Sequence, residues 1–116
     1  MVCDNEISIN GEIYVKQGTF KVSKDVVMVR TYSAGVHFGK LISCKGKEVV
    51  LKNARRVWYW EGAATLSQLA LDGTSKSDKC KMPCVVPFIT LTEAIEIIPM
   101  TEKAAKSLYG VKVWKQ

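Results

Sequence analysis

A chain of 116 residues that is 47% hydrophobic and 24% charged has the composition of an ordinary folded domain, which excludes wholesale disorder and fibrous repeats. Its length suits one domain over residues 1–116, able to bury roughly 60 to 70% of its unfolded surface without staples. Seventeen Lys and Arg against eleven Asp and Glu leave a formal charge of +6, a bias toward anionic partners such as nucleotides, nucleic acid or acidic proteins.

Asn10-Gly11 between the alternating runs 7–9 and 12–16 predicts a two-residue hairpin at the start. A short strand over 19–23, a turn at Lys24-Asp25 and a β-rich run over 26–32 follow. After Ser33-Ala34-Gly35 a strand resumes over 36–44, with Gly39 marking a bulge or a close backbone approach. Lys45-Gly46 turns the chain into a strand over 48–51, Lys52-Asn53-Ala54 reads as a connector, and 55–60 as an aromatic strand.

From Gly62 the period changes: Ala63, Leu66, Leu69 and Ala70 share one side of a predicted helix that Gly73 stops. Residues 74–83 are polar and predict a mobile loop. Strands over 85–91 and 94–98 follow, with Pro87 at an edge or bend and Pro99 closing the last one. A second helix is capped by Thr101, faces inward with Ala104, Ala105 and Leu108, and ends at Gly110. The expected fold is α+β, mainly an antiparallel β-sheet, meander or small barrel-like, with two short helices.

Cys3, Cys44, Cys80 and Cys84 are scattered apart from one C-x3-C pair, and His37 is the only histidine. That pattern lacks the spacing of a zinc site, so no metal or cofactor is assigned. Cys44 is expected as a small core residue and the Cys80/Cys84 pair in a surface loop. No apolar run is long enough to span a bilayer and the start has no signal-peptide character, so a cytoplasmic protein with no membrane partner is expected.

Strand alternation supplies the candidate chemistry. If Val27 and Val29 point to the core, Met28, Arg30 and Tyr32 point away. With Val57 and Tyr59 inward, Arg56, Trp58 and Trp60 share the outer face, an arrangement of guanidinium and indole suited to a planar ligand. Alternation alone also admits the reverse, with Trp58 and Trp60 buried. Ser33, Ala34 and Gly35 offer backbone N–H groups, and His37 lies just beyond. Arg30, Arg55 or Arg56 would hold phosphate, an aromatic ring would stack on a base, and Asn53 would read its edge. The rival for His37 is a buried ring bonded to a carbonyl. Tyr32, Ser33 and His37 come closest to a catalytic set, but no carboxylate stands near them in sequence, so the chain is not expected to be an enzyme.

The motifs RTYSAGVHFG at 30–39, LKNARRVWYW at 51–60 and LTEAIEIIP at 91–99 resemble an uncharacterised family of small bacteriophage and prophage proteins, over about residues 26–114. The resemblance implies a phage accessory protein acting on host defence, replication or transcription. With the anion-plus-ring residues it suggests a sponge: an anti-defence protein that binds and sequesters a nucleotide-derived immune signal without catalysis. The alternatives are a nucleic-acid-binding protein using the same residues in an open groove, and an inhibitor of a host enzyme. A homo-oligomer is expected, because sheet edges need covering and a small ligand is best enclosed between subunits.

Overall fold

The computed structural model describes residues 12–15 and 18–115, with side chains from residue 25 onward. In chain order its elements are β1 (Glu12–Val15), β2 (Gly18–Thr31), β3 (Val36–Lys45), β4 (Glu48–Val57), α1 (Leu66–Asp72), β5 (Val86–Leu91), β6 (Ala94–Thr101) and α2 (Glu102–Tyr109). β2 to β6 form an antiparallel sheet in the order β6-β2-β3-β4-β5, and β1 pairs with the first residues of β2. Strand exceeds helix, giving the expected α+β class. The Asn10-Gly11 hairpin lies outside the described residues.

Three expected breaks are not breaks. Lys24-Asp25 is no turn: β2 runs through it, and Asp25 takes φ +65° while the register against β6 shifts between Val22 and Val27. An Asp tolerates the left-handed region, and both halves of the strand have pairing partners. Lys52-Asn53-Ala54 is no connector, because Asn53 at φ +52° lets β4 continue as a bulge while the pairing moves from Phe38↔Arg55 to Lys40↔Lys52. Gly39 sits across this bulge, where a Cβ would stand 3.0 Å from the Lys52 carbonyl oxygen and 3.1 Å from Ala54 Cα. The close approach read from Gly39 is therefore real. Pro99 does not close the last strand but lies inside β6, opposite Val27. β6 is a margin of the sheet, as is β5 with Pro87, and a margin tolerates a residue without an N–H.

The two margins are joined by only Thr92 and Glu93. To permit this the sheet coils until diagonal corners meet: Ala94 N donates to Lys47 O (3.0 Å) and Tyr32 N to Glu93 O (2.9 Å). Bulges supply the bending. The inner, concave face holds Val27, Val29, Val49, Leu51, Ala54, Leu91 and Ala94. The outer face carries a second core of Met28, Phe38, Val57 and Met100 with Leu69, Ala70, Ala104 and Leu108 of the helices. Met28 thus belongs to a core of its own rather than to an exposed face.

α2 starts at the expected Thr101 cap, whereas α1 starts only at Leu66, so Ala63 precedes the helix. Thr65 Oγ1 accepts from Gln68 N (3.1 Å) and Thr101 Oγ1 from Ala104 N (3.0 Å), two N-caps. Thr101 also donates to Leu71 O at 2.5 Å, tying the helices together. Gly73 ends α1 at φ +73°. The polar stretch after it is less open than its composition suggested: Cys80 and Met82 are buried, and the Cys80 thiol lies 3.5 Å from both Thr74 Oγ1 and Lys76 O. Cys80 is therefore a core residue, while Cys84 is exposed. No helix among the described residues is long and apolar enough to cross a membrane.

Candidate functional site

The ten residues singled out in the sequence do not converge on one surface. The β2–β3 turn is built from its own hydrogen bonds: Thr31 N and Thr31 Oγ1 both donate to Gly35 O (3.0 and 2.7 Å), and Ala34 N donates to Thr31 Oγ1 (2.9 Å). The Ala34 N–H is thereby taken. Gly35 adopts φ +82°, which is why a glycine stands there. Ser33 Oγ donates to the Glu93 carboxylate, a partner from the turn between β5 and β6 that sequence spacing does not reveal.

His37 is 1% exposed, and its Nε2 lies 2.9 Å from Ala34 O. It pairs with Val29 and Arg56 in the ladder, on the inner face. Burial pulls its pKa below the ordinary value; the Ala34 bond pulls the other way, and Arg56 adds to the lowering. This is the rival reading of His37, a buried ring bonded to a carbonyl. Arg30 is exposed on the outer face and pairs with Glu96 across the strands, Nε to Oε1 3.3 Å. Tyr32 stands 78% exposed. Arg30 and Arg56 thus lie on opposite faces of the sheet.

Arg55 and Arg56 diverge completely. Arg56 is exposed. Arg55 is 2% exposed, and every guanidinium nitrogen is engaged: Nε donates to Pro83 O (2.8 Å), Nη1 to Leu108 O (2.9 Å) and Tyr109 O (3.4 Å), Nη2 to Met82 O (3.1 Å). Burial lowers its pKa from the ordinary arginine value, opposed by Cys84 and Tyr109, and it stays charged. Buried with every nitrogen bound to a carbonyl, the guanidinium does not present itself to a phosphate on the surface. Asn53 is exposed, and its carbonyl accepts from Tyr109 Oη at 2.7 Å; the residue is placed here by the bulge.

The aromatic strand is also revised. β4 stops at Val57, and the chain turns to a single bridge with Lys81: Trp58 N and Tyr59 N donate to Lys81 O (3.1 and 3.2 Å), and Lys81 N donates to Tyr59 O (2.8 Å). Leaving the strand ends the alternation. Trp60 packs on the outer core and donates from Nε1 to Ala63 O at 3.3 Å, whereas Trp58 is 62% exposed. One tryptophan is core and the other is surface.

Trp58 has a companion from near the end of the sequence. Trp114 stacks on it with ring centroids 6.2 Å apart and planes 14° from parallel, and Lys81 Nζ stands 5.6 Å from the Trp114 ring. Trp114 is placed by its backbone, whose N–H donates to Met82 O (2.9 Å), next to a bridge between Met82 and Val113. No local pattern announces this pair, because one member stands at the middle of the sequence and the other near residue 116. A shallow hollow of about 410 Å³ lies elsewhere, between Gly62, Gln68, Asp72, Thr74 and Lys103, and includes none of the ten residues.

Fold and surface together define an α+β domain on a coiled antiparallel sheet, with an open patch of two stacked indoles and an ammonium at one end. The family described as Domain of unknown function (DUF6948) matches residues 24–108, and the chain belongs to that family. No curated protein and no solved structure matches it.

Proposed function

We propose that the protein is a non-catalytic binding protein that holds and sequesters a small anionic, ring-bearing ligand of nucleotide type. The observation that carries this reading is the exposed, near-parallel Trp58–Trp114 pair with Lys81 over one ring. Exposed indoles are costly to keep in water and offer π-faces to any planar base, while Lys81 supplies positive charge for phosphate. The resemblance to phage accessory proteins makes a nucleotide-derived host signal the ligand class to try first.

A thermal-shift screen against mono-, di- and cyclic nucleotides tests the proposal. One species should raise the melting temperature through linkage of binding to folding. Trp58→Ala should weaken its binding by about tenfold or more, the effect of losing one stacking contact worth roughly 1 to 3 kcal/mol. If no nucleotide stabilises the wild-type protein, the proposal fails.

The openness of the patch favours a second reading, a surface for single-stranded nucleic acid. Oligonucleotide binding with a steep salt dependence would select it. Sequestration instead needs a cover over the indoles, and a second copy of the chain is the occupant that the expected homo-oligomer supplies. Light scattering on the ligand-bound protein separates the two: a 12.9 kDa particle argues against the covered form.

A further inference from the structure

Arg55 is a buried cation with no carboxylate partner among the described residues, and all three of its nitrogens donate to backbone carbonyls. Burying an ion without a counter-ion is costly, so its retention calls for a reason. Capping α2 is not sufficient, since Gly110 N already closes the helix on Lys106 O at 3.0 Å. The acceptors themselves are more telling. Met82 O receives Arg55 Nη2 at 3.1 Å and Trp114 N at 2.9 Å, so one oxygen joins the guanidinium to the backbone of an indole residue. The neighbouring Lys81 O receives Trp58 N and Tyr59 N. On its other edge the guanidinium binds Leu108 O and Tyr109 O, the end of the helix from which the chain runs on to Trp114. The three segments bearing Trp58, Lys81 and Trp114 thus meet at the 81–83 backbone, and Arg55 holds that backbone.

We infer that Arg55 is a positioning residue for the Trp58–Trp114 surface, acting through the Met82 carbonyl and the end of α2 without touching ligand. The inference rests on reading that surface as the ligand site. A planar fork with donors on both edges can bridge two segments at once; a lysine ammonium, a single point with three donors, cannot span the same carbonyls.

The test uses Arg55→Lys and Arg55→Met in the full chain, with Lys103→Ala, an exposed residue of the separate hollow, as a control. Three signals are read: strand circular dichroism, the exciton couplet between the stacked indoles, and tryptophan fluorescence on titration with adenosine diphosphate. The couplet is assigned by its loss in Trp58→Phe. Arg55→Lys should keep the strand signal, lose most of the couplet and weaken nucleotide binding about tenfold or more, while Lys103→Ala changes none of the three. Either Arg55 variant, folded and with the wild-type couplet, overturns the inference. Loss of strand signal and couplet together in both variants also overturns it, by assigning Arg55 to the fold as a whole. If wild type does not bind the nucleotide, the functional proposal loses that support, and the couplet still decides whether Arg55 sets the indole pair.

Discussion

The two faces of the sheet are stabilised by different means. The concave face is closed by the coil and filled mainly by aliphatic residues of the strands, with the buried His37 the polar member, bonded to the Ala34 carbonyl. The convex face is covered by two short helices and irregular chain, and there the core takes in Met28, Met82, Met100, Cys80 and, beside Leu108 and Met82, the charged Arg55. Regular ladders satisfy their own backbone groups, so aliphatic packing suffices on the concave side. Irregular segments leave carbonyls over, and a buried guanidinium is one of the few groups able to satisfy several at once.

Removing the guanidinium is the severest way to break this contrast. Arg55→Ala strips a donor from four carbonyls, those of Met82 and Leu108 buried and those of Pro83 and Tyr109 half-buried, and opens a cavity; it should cost about 4 kcal/mol, read as a lowered urea midpoint. On the concave face Leu51→Ala should cost about 3 kcal/mol by cavity formation alone. Chevron kinetics sharpen the comparison, since the two losses should partition differently between folding and unfolding rates. Equal partitioning would mean that the two cores form as one.

The smallest effect concerns His37. Its folded pKa lies below the ordinary value near 6.5, so as pH falls through that value the unfolded chain takes up a proton that the folded chain resists. Stability is then lost toward acid and is unaffected well above 6.5. Urea midpoints of wild type and His37→Gln at pH 7.5 and 5.5 measure this. The wild-type decrease should exceed that of the variant; an equal decrease would place the titration elsewhere.

Much of the fold was legible because its signals are local. Thr101 caps a helix through a bond three residues away, Gly73 stops one by its φ, and Gly39 announces a close approach by lacking a side chain. What stayed hidden depends on parity and on distant partners. Bulges at Asp25 and Asn53 keep strands running where composition reads turns. Arg55 and Arg56 are equivalent to any local rule; only the position of Met82, Pro83, Leu108 and Tyr109 in space separates them. Likewise Trp58 and Trp60 were expected on one face, but the face argument lapses once β4 ends at Val57.

Pro87 and Pro99 have a consequence at high protein concentration. A proline persists in a ladder where its missing N–H faces away from the paired strand, so each open margin of this sheet meets the solvent with a gap in its row of donors. A neighbouring chain arriving edge-on finds an interrupted template at either margin, which disfavours fibre growth by strand addition. Copies of this protein that associate are then expected to do so through side chains, the exposed indoles and Phe88 among them, and a strand-derived peptide of its own sequence should fail to seed aggregation of the folded domain.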